Sequence, residues 1–223
     1  MNPPHSPSAR LIFRTVILAS ICALSGCLSR PALNKQTFAF TAPEMARTNA
    51  ATARVLGIKN LKIAAPFEGR SLVYRTGDNA YVRDPYAEFL DTPAESLLVT
   101  IREWLRDNGS FTVVEPGSSL KPNTFAEISV TRLYGDFRQP QQAAAILSMR
   151  FLFFDAANGL PGKVLLEREY SGSIALKSST PAALMAGWNQ ALTQVLTQVT
   201  SDFQRSENEE PSEQTPLDSR KVP

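Results

Sequence analysis

One histidine, His5, and two cysteines, Cys22 and Cys27, occur in 223 residues, and all three lie within the first 27. Residues 1–26 read as a removable segment, so the mature chain carries no imidazole. That excludes a Ser-His-Asp triad, a Cys-His pair and a histidine-held metal. Cys22 falls inside the same segment, which leaves no partner for an intramolecular disulfide. Excess charge is also missing. The 23 Lys and Arg exceed the 21 Asp and Glu by two, and both surplus bases, Arg10 and Arg14, precede residue 27. A near-neutral chain lacks the basic face that nucleic acid requires. There is no Walker-type phosphate loop, no calcium-loop spacing and no internal repeat, so no metal or other cofactor is implied.

The apolar stretch 16–24 is shorter than the roughly 20 residues a membrane span takes. Behind Arg10 and Arg14 it reads instead as the apolar part of a secretory signal. It ends in Leu24-Ser25-Gly26-Cys27, which resembles the bacterial lipobox: an apolar residue, two small residues, then cysteine. The small residues suit the cleft of a signal peptidase, and the thiol is the only nucleophile there able to take a thioether-linked diacylglycerol. Charge, apolar run and box agree on a signal peptide over 1–26 and lipidation of Cys27, rather than on an ordinary signal with a nearby cysteine. Leu28 and Ser29 follow, without the Asp that retains enteric lipoproteins at the inner membrane. By that resemblance the protein sits in the outer membrane, anchored by lipid and facing the periplasm.

Residues 27–35 form a lipidated tether. Alternation of polar and apolar residues predicts strands over 36–41, 60–65 and 71–76, with a loop over 43–53. Gly77-Asp78-Asn79 is turn chemistry, and 80–83 returns as the second arm of a hairpin. Thr92-Pro93-Ala94-Glu95 combines a capping box with proline at the first helical position. Leu97, Leu98, Ile101, Trp104 and Leu105 then recur at helical spacing until Asn108-Gly109. A short strand over 111–114 follows, then a meander of three strands over 124–137, 143–155 and 163–176, with a turn over 158–162. In the middle strand Leu147, Met149, Phe151 and Phe153 mark one face. Ile146, Leu152 and Phe154 mark the other, which predicts partial cover on both sides. A last helix opens at Thr180-Pro181 and carries a stripe of Leu184, Trp188, Ala191, Leu192, Val195, Val199 and Phe203. One domain over 36–205 results. Residues 206–223, rich in acids and proline, read as a disordered tail.

The lipobox, the stretch Val73-Tyr74-Arg75-Thr76-Gly77-Asp78-Asn79, the aromatic segment Tyr86-Ala87-Glu88-Phe89, and the helix, meander and final helix after it share one order with a known family. The chain resembles the ABC-type transport auxiliary lipoproteins, the PqiC-like proteins, over residues 36–204. Phe89 stands where that family usually has tryptophan. The resemblance implies an α/β fold with helices packed on a mixed sheet, similar to the N-terminal domain of TolB. It also implies partners: an ABC permease, its ATPase and an MCE-domain substrate-binding protein, in systems that move phospholipids or other hydrophobic molecules between two membranes. The lipoprotein would be the outer-membrane docking piece. Homo-oligomerisation stays open.

Tyr74, Arg75, Asp78, Tyr86 and Phe89 are the candidate partner-binding residues, with Tyr74 and Arg75 as the aromatic and guanidinium types common in interface hot spots. Turn stabilisation and core packing are the competing readings for the same side chains. An alternative function is a lipoprotein that itself binds a lipid, with Met149, Phe151 and Phe153 lining a cavity; a packed sheet face is the plainer account of those three. Catalysis would need a carboxylate pair. Glu167 with Glu169, or Asp78 with Asp84, are the pairs available, and a solvated surface explains them better, so no enzyme is expected.

Overall fold

The computed structural model describes residues 35–41, 54–157 and 160–209. Eight strands make one mixed sheet: β1 (Gln36–Phe38), β2 (Val55–Ile63), β3 (Ser71–Arg75), β4 (Tyr81–Phe89), β5 (Thr112–Val113), β6 (Thr124–Asp136), β7 (Ala144–Ala157) and β8 (Leu160–Ala175). Among the described residues two α-helices, α1 (Pro93–Asp107) and α2 (Pro181–Glu209), complete it, with short 3-10 turns at Ala65–Phe67 and Pro140–Gln142. A mixed sheet carrying helices is the architecture expected.

The long strand β6 organises the sheet. Along one side it pairs antiparallel with β7 from Thr124 to Asp136, and β8 follows as the outer strand. Its other side is shared. β2 lies parallel to Thr124–Val130, and β3 lies parallel to Gly135–Asp136. The division falls at Thr131, where the β6–β7 register shifts, and the amide of Ala64 closes β2 there on the Val130 carbonyl at 2.9 Å. β5 flanks β2, while β4 and then β1 flank β3.

Alternation decides which side chains meet the helices. Ala126, Ile128 and Val130 on β6 and Leu147, Met149, Phe151 and Phe153 on β7 are buried beneath them. α2 lays its stripe of Leu184, Trp188, Ala191, Leu192, Val195, Val199 and Phe203 on this surface, every one buried. α1 starts at the expected capping box: Thr92 Oγ1 accepts from the Glu95 amide at 3.3 Å, and Glu95 Oε2 accepts from the Thr92 amide at 3.4 Å. Gly109, at φ 74°, takes the left-handed conformation just after the helix. Rings join the two helices into one core. Phe111 stacks on Phe153 and meets Phe203, while Phe89 stacks between Phe40 and Trp188. The Trp188 indole N–H donates to the Ile146 carbonyl at 3.1 Å, so its burial leaves no orphan donor. At Gly172 a Cβ would lie 2.8 Å from that of Ala191, so the missing side chain lets α2 rest on β8.

Several boundaries differ from expectation, and β1 ends at Phe38 rather than at residue 41. β2 starts at Val55, not residue 60, because Leu56 is fully buried and pairs with both β5 and β6. β4 runs from Tyr81 to Phe89, so the aromatic segment is its second half rather than a separate piece. The strand passes Pro85 by bulging: Val73 faces Arg83 and Ser71 faces Glu88, which leaves residues 84–87 outside the ladder. Asp84 Oδ1 replaces the lost acceptors, taking the amides of Tyr86 at 2.7 Å and Ala87 at 3.0 Å. β8 begins at Leu160, inside the expected turn. α2 continues to Glu209, past the expected end at 205, because Glu207 Oε1 accepts from Arg54 Nε at 2.6 Å. The cover expected on both faces of β7 holds for Phe154, which is buried under Phe125 and Lys59, whereas Ile146 and Leu152 are half-buried. The signal, Cys27, the tether up to residue 34, the whole of the expected 43–53 loop, Asn158-Gly159 and residues 210–223 lie outside the described residues.

Candidate functional site

The β3–β4 hairpin places the candidate residues. Arg75, last in β3, turns its guanidinium onto the turn itself: Nε donates to the Gly77 carbonyl at 3.2 Å and Nη2 to the Asp78 carbonyl at 2.7 Å. Tyr74 points to the other face and is half-buried. Its hydroxyl donates to Asp84 Oδ2 at 2.6 Å, and its ring meets Phe137 edge-on. Burial, with the carboxylate of Asp84 beside it, raises the Tyr74 phenol well above its ordinary range. Phe89 is 2% exposed and belongs to the core. Tyr86, on the bulge, is 58% exposed. The five residues thus divide. Asp78 and Tyr86 face solvent, Arg75 and Tyr74 shape the hairpin, and Phe89 anchors β4.

Asp78 is not alone at the turn. Arg138 Nη1 donates to its Oδ1 at 3.3 Å and holds Asp136 in a fork, with Nε at 3.0 Å from Oδ1 and Nη2 at 2.7 Å from Oδ2. The Arg138 hydrogen bonds keep the Asp136 carboxyl below its ordinary range, against the opposing effect of burial. Thr76, Gly77, Asp78, Asp136, Arg138, Gln139 and Gln142 line a concave groove of about 530 Å³. Sequence reading found Asp78 and missed Asp136 and Arg138. Sixty positions separate Asp78 from Arg138, and only the parallel pairing of β3 with the end of β6 unites them.

The carboxylate pairs lie in ordinary surface bonds. Glu167 pairs with Arg150, and Glu169 accepts from the Thr131 hydroxyl at 2.6 Å. Asp84 serves Tyr74 and the bulge, while Asp78 serves Arg138. Among the described residues no cluster of acids, histidine and cysteine could hold a metal. Met149, Phe151 and Phe153 are enclosed by neighbouring side chains, as a packed sheet face is. No helix among the described residues is long and apolar enough to cross a membrane.

The family model for the ABC-type transport auxiliary lipoprotein component matches residues 37–200. The chain belongs to that family. Like other ABC-type transport auxiliary lipoproteins it is a non-enzymatic component of an ABC-type transport system, and the family's attachment to a membrane is through a lipid anchor. Comparison with curated proteins gives no significant match. Among solved structures, a Xanthomonas campestris protein of family DUF330 shares the fold at a TM-score of 0.62 and 17% identity, covering 77% of this chain and 95% of its own. A second, uncharacterised protein matches at 0.55 and 16% identity, over 74% and 99% of the two chains. Both likenesses show the auxiliary lipoprotein's fold alone.

Proposed function

We propose that this auxiliary lipoprotein is the outer-membrane docking piece of an MCE-type ABC transport system that moves phospholipids or other hydrophobic molecules between the two membranes. In this reading Cys27 carries the lipid, the domain faces the periplasm, and an MCE-domain protein with its permease and ATPase are the partners. The observation that carries the reading is the family match over residues 37–200, in a chain whose upstream segment ends in a lipobox pattern. The likeness to the TolB N-terminal domain belongs to the same proposal.

Within the domain, the groove beside the 76–80 turn is the protein-docking surface. It is concave and polar, and Asp78 stands exposed at its rim. Tyr74, Arg75 and Phe89 act indirectly, by fixing the hairpin that presents it. The direct test is photo-crosslinking in cells from a reactive residue at position 78, with position 167 as control, followed by affinity purification and mass spectrometry. Recovery of an MCE-domain protein from 78 and not from 167 is expected. Recovery of the chain alone, or of unrelated envelope proteins, overturns the docking role. A Cys27→Ser variant is expected to leave the outer-membrane fraction, and its retention there would assign the hold to protein contacts instead of lipid.

A further inference from the structure

Seven large apolar side chains are exposed among the described residues, and four of them cluster within residues 81–90. Tyr81, Val82, Tyr86 and Leu90 are between 46% and 58% exposed, in β4 or directly after it. Scattered apolar groups need no explanation, but a concentration does; Tyr81 turns its ring inward onto Phe67 and Tyr134, which leaves Val82, Tyr86 and Leu90 along the edge. β1 covers β4 only opposite Ala87, Glu88 and Phe89. Upstream, from Tyr81 to Tyr86, the outer side of β4 is open among the described residues.

An open edge ordinarily invites another strand. This one is unsuited to it. Residues 84–87 bulge out of the ladder, Pro85 has no N–H to donate, and Arg83 adds an exposed charge. The occupant must accept apolar groups without a hydrogen-bonding register. Tyrosine pairs an apolar ring with a polar tip, which suits the boundary between lipid headgroups and acyl chains. Arg83, Arg70 and Lys35 border the same edge, but Lys35 and Arg70 pair with Glu88 at 2.8 and 3.2 Å and Arg83 donates to the Pro66 carbonyl at 3.4 Å, so the apolar groups rather than the charges mark it.

Connectivity selects the same occupant. Gln36 opens β1 nine residues after Cys27, a span of at most about 30 Å when fully extended. β1 lies on β4 itself, whereas β8 forms the opposite edge of the sheet. We infer that the β4 edge is a second membrane contact, in which Val82, Tyr86 and Leu90 rest in the headgroup layer of a phospholipid bilayer and the domain stands edge-on to it. This inference rests on the lipid-anchor reading of Cys27. It leaves the groove at the 76–80 turn free for a protein partner.

Acylation of Cys27 leaves the mature chain without another cysteine, so single reporters are clean. The test uses the full lipidated chain in phosphatylethanolamine–phosphatidylglycerol vesicles, with Val82→Cys, Leu90→Cys and, on β8, Val164→Cys each carrying an environment-sensitive fluorophore. Quenching by spin-labelled lipid is expected to be at least about two-fold stronger at 82 and 90 than at 164. Adding Tyr86→Ser to the Val82→Cys protein is expected to lower quenching at 82 with the thermal midpoint unchanged, since Tyr86 is outside the core. Equal quenching at all three positions, or none at any, overturns the edge contact while the anchor stands. A lipidation-competent chain that fails to float with the vesicles overturns the anchor, and the edge contact with it.

Discussion

The two faces of the sheet are built on opposite terms. Beneath α1 and α2, Phe151, Phe153, Leu147 and Met149 are fully enclosed, and Trp188 and Phe203 close over them. On the other face neither α-helix packs, only the short 3-10 turn Ala65–Phe67 lies against Tyr134, and the same strands carry Arg150 paired with Glu167 and Thr131 bonded to Glu169. Lys59 lies over the rings of Phe125 and Phe154 at 4.7 and 4.8 Å and shields buried Phe154, while Tyr134, also buried on this face, packs against Phe67 at 5.8 Å. The covered face holds the fold by removing apolar area from water. The open face is kept soluble by pairs that solvent screens. Stability therefore resides on one face, and the other face, with the edges and the hairpin, is free to vary with partners.

The largest effect that sharpens this contrast is expected from Trp188→Ala. It removes a buried ring and a satisfied N–H, and it is expected to cost about 3–5 kcal/mol in urea unfolding. A cost near that of a surface change would place the core elsewhere. Gly172→Ala comes next. Its methyl would press on Ala191, and overpacking of this kind costs about 1–3 kcal/mol, whereas Ser173→Ala on the neighbouring exposed position is expected to be near neutral. Unfolding midpoints of the two variants check the pair.

A pH dependence is expected from the seam between β8 and α2. Burial, then the hydrogen bond to Asp202, pushes the Tyr170 phenol up to about 12. A raised phenol pKa favours the neutral form in the fold. Its contribution is complete below the unfolded value near ~10 and is lost as pH rises toward the folded one. Asp202 acts in the opposite sense. Burial opposes its ionisation, but Arg168 and Tyr170 outweigh it and hold the carboxyl below its ordinary range. Its contribution is complete above the unfolded carboxylate range and is lost as pH falls through the lower folded value. Tyr170→Phe is expected to flatten the alkaline limb of a stability–pH profile, and Asp202→Asn the acid limb. The smallest effect belongs to the open face: Arg150→Ala or Glu167→Gln should leave the urea midpoint within experimental scatter. A clear loss there would mean that the open face also holds the fold.

Much of this was legible in the residues. The capping box of Thr92 and Glu95, the apolar spacing of α1 and α2, and the two-residue alternation of β6 and β7 depend on near neighbours, and each appeared where expected. Phe89 was legible as an aromatic before a helix, but not as a ring stacked between Phe40 and Trp188. Pro85 hid the continuity of β4, because a proline ends a strand unless something else satisfies the freed amides, and here Asp84 does. The groove was half visible. Asp78 sits in a recognisable turn, whereas nothing local marks Asp136 or Arg138 as its neighbours.

By itself the sequence determined the local terms. It set the helix starts, the alternation of the meander and the order of elements that carries the family likeness. These are fixed by spacing, by capping chemistry and by which residue types are present. Only the tertiary structure decided how β6 divides one side between β2 and β3, which face α2 covers, where the β4 bulge opens, and which charges meet at the 76–80 turn. Those outcomes depend on pairing between residues tens of positions apart, where the burial of a whole face outweighs any local preference.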